Sequence, residues 1–277
     1  MKSDYSLISS GQSYKLEQFG PKKLLRPSTV AFWKSEKNIL DEKYDALYNP
    51  KSENWEFKTQ KFTEWQIQLD QIKLLLKPQA NGQIGFFPDH YGYMPKLTSA
   101  IKEYKEPQVL NLFAYTGMAS MYALKAGANV THVDVSKKFL DWTNENLKIN
   151  NLSSKNIRLI PEDALVYLER EAKRNKTYQI IIADPPSFYR TGKNKIWQLE
   201  ENFHKLLDLI LKVLDPKSGQ LFFTCHSFSI IILKNLLSDF KHKGLTISHC
   251  EDLLLTETTR NYHLPAGVFA LCRLTAR

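Results

Sequence analysis

The chain has 277 residues, 43% of them hydrophobic and 12% aromatic, with 38 lysines and arginines against 29 aspartates and glutamates, a formal net charge of +9. That apolar content sustains a core and excludes a wholly disordered chain, while the positive excess points either to an anionic partner or to a solvated basic surface. Its apolar runs fall short of the roughly 20 residues that cross a bilayer, and the opening Met1-Lys2-Ser3-Asp4-Tyr5 lacks the apolar stretch of a secretory signal, so a cytoplasmic protein with no membrane partner is expected.

Residues 1–95 carry short alternating stretches, Tyr5-Ser6-Leu7-Ile8 and Trp65-Gln66-Ile67-Gln68-Leu69, punctuated by Gly11, Gly20-Pro21, Pro27, Pro50, Pro78 and Gly82. This reads as a small strand-rich region that ends in the aromatic loop Gly85-Phe86-Phe87-Pro88-Asp89-His90-Tyr91. Near the start, Lys15, Lys22, Lys23 and Arg26 form a basic cluster.

Over residues 96–277, strands alternate with helices. Val109–Phe113 is a strand, and a helix from about Met118 stops at Gly127. Val130–Val133 is a second strand ending at Asp134, with Ser136 placed to cap the next helix. Ile157–Ile160, the Ile180 run and Leu221–Cys225 are the third, fourth and fifth strands. Two further strands, around Leu245–Leu255 and Gly267–Leu274, have no helix between them, which predicts one antiparallel member. Repeated βα units predict an α/β, doubly wound, Rossmann-like sheet.

Three strand ends carry carboxylates. Asp184-Pro185-Pro186-Ser187-Phe188 follows the apolar Ile180–Ala183, at the sheet edge where such folds build their reactive crevice. The prolines stiffen the backbone and leave carbonyls free for a planar ligand. Asn111-Leu112-Phe113-Ala114-Tyr115-Thr116-Gly117 is a turn with one glycine, too few for the close backbone approach that a pyrophosphate needs. Asp134, 17 residues after Gly117, stands near the spacing for ribose hydroxyls, and Asp163 could accept from an adenine amino group. An adenosine bound without a pyrophosphate points to S-adenosylmethionine.

These segments, with Val133-Asp134-Val135-Ser136-Lys137-Lys138 and Glu162-Asp163-Ala164, resemble the class I S-adenosylmethionine-dependent methyltransferases, in particular the bacterial ribosomal-RNA cytosine-C5 methyltransferase-like group. Gly85–His90 and Lys15-Leu16-Glu17-Gln18-Phe19-Gly20 are similar to elements of a short branch without an evident PUA domain. The resemblance implies a seven-stranded methyltransferase sheet. It also implies that Phe113, Tyr115, Thr116 and Gly117 wrap the methionine part of the cofactor, with Asp134 and Ser136 at the ribose and Asp163 at the adenine. Asp184 would face the target base, and Asp184 and Pro185 would also border the cofactor. Phe87, His90, Pro186, Phe188, Arg190 and Lys193 would meet an RNA substrate, the basic residues interleaved with Tyr189 and Trp197.

Carbon 5 of cytosine is a poor nucleophile, so methylation there needs a thiolate adding to C6, with an acid holding N3. Of Cys225, Cys250 and Cys272, only Cys225 lies beside the Asp-Pro-Pro corner, which makes Asp184 and Cys225 the candidate catalytic pair; the same position also suits a small apolar core residue. The family's usual lysine after the prolines is Ser187 here, and its usual glutamine in the aromatic loop is His90. His90, His226 and His263 are candidate bases. No Cys-x-x-Cys spacing is present, and neither a metal nor a disulfide framework is implied. Alternatives are methylation of an RNA amino group or a small molecule with Cys225 inert, or a catalytically silent RNA-binding module. A nicotinamide enzyme is disfavoured by the single-glycine turn.

Overall fold

The computed structural model describes residues 2–34, 38–190 and 196–275, with the side chain of Arg190 outside the description. The chain divides into two compact units: residues 1–91 with 254–266, and residues 92–253 with 267–277. The segment 254–266 therefore belongs with the N-terminal unit, which a single boundary at residue 95 does not provide for.

In the first unit, β1 (Tyr5–Gly11), β2 (Tyr14–Phe19), β3 (Lys22–Pro27), β4 (Ala46–Asn49) and β5 (Asn54–Phe57) form a five-stranded sheet in sequence order. Every neighbour is antiparallel except β3 and β4. A separate hairpin joins β6 (Trp65–Leu69) to β7 (Ile72–Leu76). The alternation of Trp65-Gln66-Ile67-Gln68-Leu69 becomes strictly alternating burial, as a half-buried strand requires. The segment 254–266 is anchored by an ion pair: buried Glu257 accepts from Ser10 N at 2.7 Å and from Arg260 Nε at 2.8 Å.

The basic cluster near the start is partly consumed internally. Fully buried Glu17 pairs with Arg26 at 2.7 Å and with Lys15 at 3.3 Å, and accepts from the Tyr5 hydroxyl at 3.2 Å. Burial pulls the Lys15 amine below its ordinary pKa while Glu17 opposes that shift. Lys15 and Arg26 thus balance a buried carboxylate, which removes two of the cations that the sequence offered to a phosphate backbone.

The second unit begins with α1 (Met94–Ile101) and then alternates: β8 (Gln108–Leu112), α2 (Met118–Lys125), β9 (Asn129–Asp134), α3 (Lys137–Ile149), β10 (Ile157–Pro161), α4 (Ala164–Lys173) and β11 (Ile180–Ala183). A short hairpin, β12 (Phe188–Arg190) and β13 (Ile196–Gln198), precedes α5 (Leu199–Val213), β14 (Gln220–Cys225), α6 (Ile230–Ser238), β15 (Leu245–Thr256) and β16 (His263–Leu274). The seven-stranded sheet runs β10-β9-β8-β11-β14-β16-β15. The first five strands in that order pair in parallel, and β16 is antiparallel to β14. This is the doubly wound sheet that the repeated βα pattern implies. The order reverses between β8 and β11, so the chain's reactive crevice is expected at the carboxyl ends of these central strands.

The core beneath the sheet's centre is built from alternate residues. Leu110 and Leu112 of β8, Ile181 and Ala183 of β11, and Leu221, Phe223 and Cys225 of β14 join Leu206, Leu207 and Ile210 of α5 in one buried cluster. On the opposite side, Phe222 and Phe269 pack around Tyr93, whose ring stacks on Phe269 at 4.7 Å. Among the described residues, no helix is long and apolar enough to cross a membrane.

Candidate active site

The turn after β8 is bent into an uncommon shape. Phe113 and Tyr115 have φ of +54° and +52°, and Gly117 has +89°. Bulky side chains rarely occupy the left-handed region, and such residues persist only where surrounding contacts over-determine them. Those contacts are present. Ala114 N donates to Val133 O at 3.1 Å, and Tyr115 N donates to Asp134 Oδ2 at 2.8 Å. The other carboxylate oxygen of Asp134 accepts from Ser136 N at 2.9 Å. Burial raises the Asp134 pKa, and the two backbone N–H groups hold it back. Ser136 therefore meets Asp134 through its backbone; its side chain makes no capping bond to α3.

A buried polar chain supports the turn from below. Asn111 Nδ2 donates to Ser120 Oγ at 2.9 Å, which lies 3.0 Å from His132 Nδ1. His132 Nε2 is 3.4 Å from Thr143 Oγ1, and that hydroxyl also reaches Tyr115 O at 3.2 Å. Asn146 Nδ2 donates to Thr116 O at 3.0 Å. Burial drives the His132 pKa down to about 3, so the ring is a neutral strut. A Cβ on Gly117 would come within 2.7 Å of Thr143 Cγ2, so only glycine fits at this corner. The Tyr115 ring packs edge-on against Phe139 at 4.4 Å.

Asp163, after β10, caps α4: its Oδ1 accepts from Leu165 N at 2.9 Å and Val166 N at 3.2 Å. Its Oδ2 accepts from the Tyr189 hydroxyl at 2.5 Å. Tyr189 faces Trp197 across the β12–β13 hairpin, the rings stacked at 5.6 Å and 24°. The Trp197 indole N–H donates to Pro186 O at 2.7 Å, and its ring lies 5.6 Å from that of Phe113. The sequence pattern gave no hairpin here, because a three-residue strand is too short to show alternation.

At the Asp-Pro-Pro corner, Asp184 Oδ1 accepts from the Thr224 hydroxyl at 2.6 Å. Thr224 is buried on β14, next to β11 in the sheet. Cys225, the next residue, takes the other face of β14, although it stays close enough to Asp184 to feel its charge. Side chains alternate along a strand, so Cys225 points to the face opposite Thr224 and joins Leu221 and Phe223 in the core. It has no solvent exposure, and burial, reinforced by the charge on Asp184, pushes its thiol up to about 12. The residue expected as nucleophile thus packs in the core with burial raising its thiol, and Thr224 is the residue that meets Asp184, which the sequence reading passed over. Alternation along β14 is the signal that could have found it.

Pro185 is buried; Pro186 is exposed; Phe188 is half exposed, at 50%. Arg190 ends β12, and Lys193 lies outside the described residues. Phe87 and His90 belong to the N-terminal unit, their rings 5.7 Å apart, and Asp89 Oδ2 lies 3.4 Å from His90 Nε2. His226 is exposed just beyond β14, while His263, in the N-terminal unit, lies 3.0 Å from Thr256 Oγ1.

A family described as S-adenosylmethionine-dependent methyltransferase matches residues 22–260. The chain belongs to the S-adenosylmethionine-dependent methyltransferases. A solved methyltransferase of that class from Agrobacterium tumefaciens is 31% identical with a TM-score of 0.89, covering 100% of this chain and 91% of that one. A Streptococcus mutans structure, 17% identical with a TM-score of 0.79 over 98% of this chain and 75% of that one, shares the fold. The ribosomal RNA large subunit methyltransferase K/L of Pseudomonas syringae pv. syringae (strain B728a) is 33% identical over 177 residues, 63% of this chain. The chain spans about a fifth of that relative's length, 22%. This methyltransferase uses S-adenosylmethionine as its methyl donor.

Proposed function

We propose that the protein methylates a base nitrogen of RNA, with ribosomal RNA the first candidate. The observation that carries the choice of acceptor is the pairing of Asp184 with Thr224, where a cysteine thiolate would be needed for carbon chemistry. The cytosine-C5 expectation routes the reaction through Cys225, and a fully buried thiol near 12 is almost wholly protonated at neutral pH. A nitrogen acceptor needs no covalent activation. It needs an oriented acceptor for its N–H, and Asp184 offers one. The RNA reading draws on the K/L relatives, named for large-subunit ribosomal RNA, and on the net charge of +9.

The residues present fit the cofactor. Asp134, held by two backbone N–H groups at the end of β9, keeps lone pairs for ribose hydroxyls. Phe113, Tyr115, Thr116 and Gly117 would border the methionine part, Asp163 would meet the adenine edge, and Pro185 the space beside Asp184. When bound, the cofactor supplies a methyl group on a sulfonium, an electrophile that requires no metal. The chain's own part would be positioning: Asp184 would accept a hydrogen bond from the acceptor's N–H, direct the nitrogen lone pair, and receive the proton once the N–C bond has formed and the C–S bond has broken to leave a neutral thioether. Thr224 fixes the carboxylate for that task. Pro186 at the Asp-Pro-Pro corner and Phe188 just past it, both exposed, are proposed substrate contacts.

Incubation with tritiated S-adenosylmethionine and unmodified large-subunit ribosomal RNA, followed by nucleoside mass mapping, tests this reading. A nitrogen-methylated nucleoside supports it. A 5-methylcytosine product, with a denaturation-resistant adduct on 5-fluorocytosine RNA, would return the chemistry to Cys225.

A further inference from the structure

The Asp163 carboxylate is saturated on one oxygen and half engaged on the other. Oδ1 takes both Leu165 N and Val166 N. Oδ2 takes the Tyr189 hydroxyl at 2.5 Å. A carboxylate oxygen offers two in-plane acceptor sites, so a single site remains on Oδ2 and its direction is fixed. That site can only accept. It favours a purine carrying an amino group at position 6 and repels one carrying a carbonyl there.

Tyr189 is itself held in place. Its ring stacks on Trp197, which is 4% exposed; the Trp197 indole is tied to Pro186 O; and Leu199 N donates to Ser187 O at 3.0 Å to close the base of the hairpin. Through one indole, the hydroxyl on Asp163 is linked to Phe113 of the β8 turn and to the backbone of the Asp-Pro-Pro corner.

We propose that Tyr189 is a positioning residue that sets the cofactor's base specificity, by orienting the Asp163 carboxylate so that its remaining acceptor site meets a 6-amino and excludes a 6-oxo purine. The proposal rests on the reading of Asp163 as the adenine acceptor. Burial and the neighbouring carboxylate both raise the Tyr189 pKa, so its hydroxyl remains a donor throughout the working pH range.

The test is calorimetric titration with two probes, S-adenosylhomocysteine and its deaminated analogue S-inosylhomocysteine. The wild-type protein should prefer the adenine form by about a hundredfold, because the 6-oxo analogue faces an acceptor with an acceptor. Tyr189→Phe keeps the stack on Trp197 and removes only the hydroxyl. It should bind S-adenosylhomocysteine about tenfold more weakly and discriminate by only about tenfold, as expected for one hydrogen bond to a charged group. Asp163→Asn keeps the helix cap through its amide oxygen but presents an N–H to position 6, so it should shift the preference toward the inosine form. Unchanged affinity and ratio in Tyr189→Phe, or tighter binding, would overturn the proposal while the Asp163→Asn shift preserved the adenine reading. An unchanged ratio in Asp163→Asn would instead remove the adenine reading on which the proposal rests.

Discussion

The Thr224 hydroxyl donates to Asp184 Oδ1 at 2.6 Å, from the strand beside the one that ends in the Asp-Pro-Pro corner. Thr224 is 1% exposed and Asp184 half-buried, so the bond is shielded on the Thr224 side and open on the side of the carboxylate. A carboxylate that is to meet an N–H needs a fixed direction, and the Thr224 hydroxyl helps to set it.

Replacing Thr224 by Val keeps the shape and removes the donor. Turnover should fall by about ten- to a hundredfold while S-adenosylmethionine affinity holds, and Thr224→Ser should recover most of the loss. Asp184→Asn should lower turnover further, by about 10²–10⁴, the range for a general acid–base group. Single-turnover methyl transfer with matched calorimetry distinguishes these outcomes. Wild-type turnover in both variants would make the pair architectural.

Gly117→Ala tests the β8 turn. The substitution places a Cβ 2.7 Å from Thr143 Cγ2 at a backbone φ of +89°. Thr143 cannot withdraw without losing its bonds to Tyr115 O and Phe139 O, at 3.2 and 2.9 Å. The cost should be about 2 kcal/mol or more of stability, read from urea midpoints, together with at least a tenfold loss of S-adenosylmethionine affinity. A variant with unchanged affinity would show that the turn does not form the cofactor's cradle.

Much of this was legible because it is periodic. The βα alternation from Val109 to Cys225 predicts the parallel order, and the aspartates 134, 163 and 184 mark three strand ends. What escaped the sequence is what depends on which face a side chain takes. Cys225 and Thr224 are adjacent in the chain, and a choice between them by proximity to Asp184 favours neither; the β14 pleat decides, sending one to the core and the other to the corner. Tyr189 was read only as an aromatic among basic residues, since its partner Asp163 lies 26 residues away. Lys15 and Arg26 looked like surface charge because nothing local reveals that Glu17 between them is buried.

His132 gives the fold a pH dependence. Its pKa falls to about 3 in the folded chain from an ordinary value near 6.5. The unfolded chain therefore binds more protons between those values, and stability that is fully present above pH 6.5 is lost as pH falls toward 3. His132→Gln should be less stable at pH 7, because Ser120 and Thr143 lose a matched partner. It should also show a shallower decline in urea midpoint between pH 6.5 and 4 than the wild type. Parallel curves for the two proteins would show that the ring does not resist protonation.

Cys225 separates carbon from nitrogen chemistry and carries its own control. As a small apolar residue behind Leu221 and Phe223, it should tolerate Cys225→Ala with a stability loss of about 1 kcal/mol and methyl transfer intact. Its thiol should resist a disulfide reagent at pH 8 until the protein is unfolded, since burial leaves almost no thiolate. The titration runs the other way from that of His132. A thiol raised to about 12 from an ordinary value near 9 keeps its proton in the folded state, so stability present below pH 9 is lost as pH rises toward 12. The difference in urea midpoint between wild type and Cys225→Ala should therefore shrink or reverse across that interval. Rapid labelling of the folded protein at pH 8, loss of methyl transfer in the alanine variant, and an adduct with 5-fluorocytosine RNA would together place a reactive thiolate at this position and make the acceptor a pyrimidine carbon.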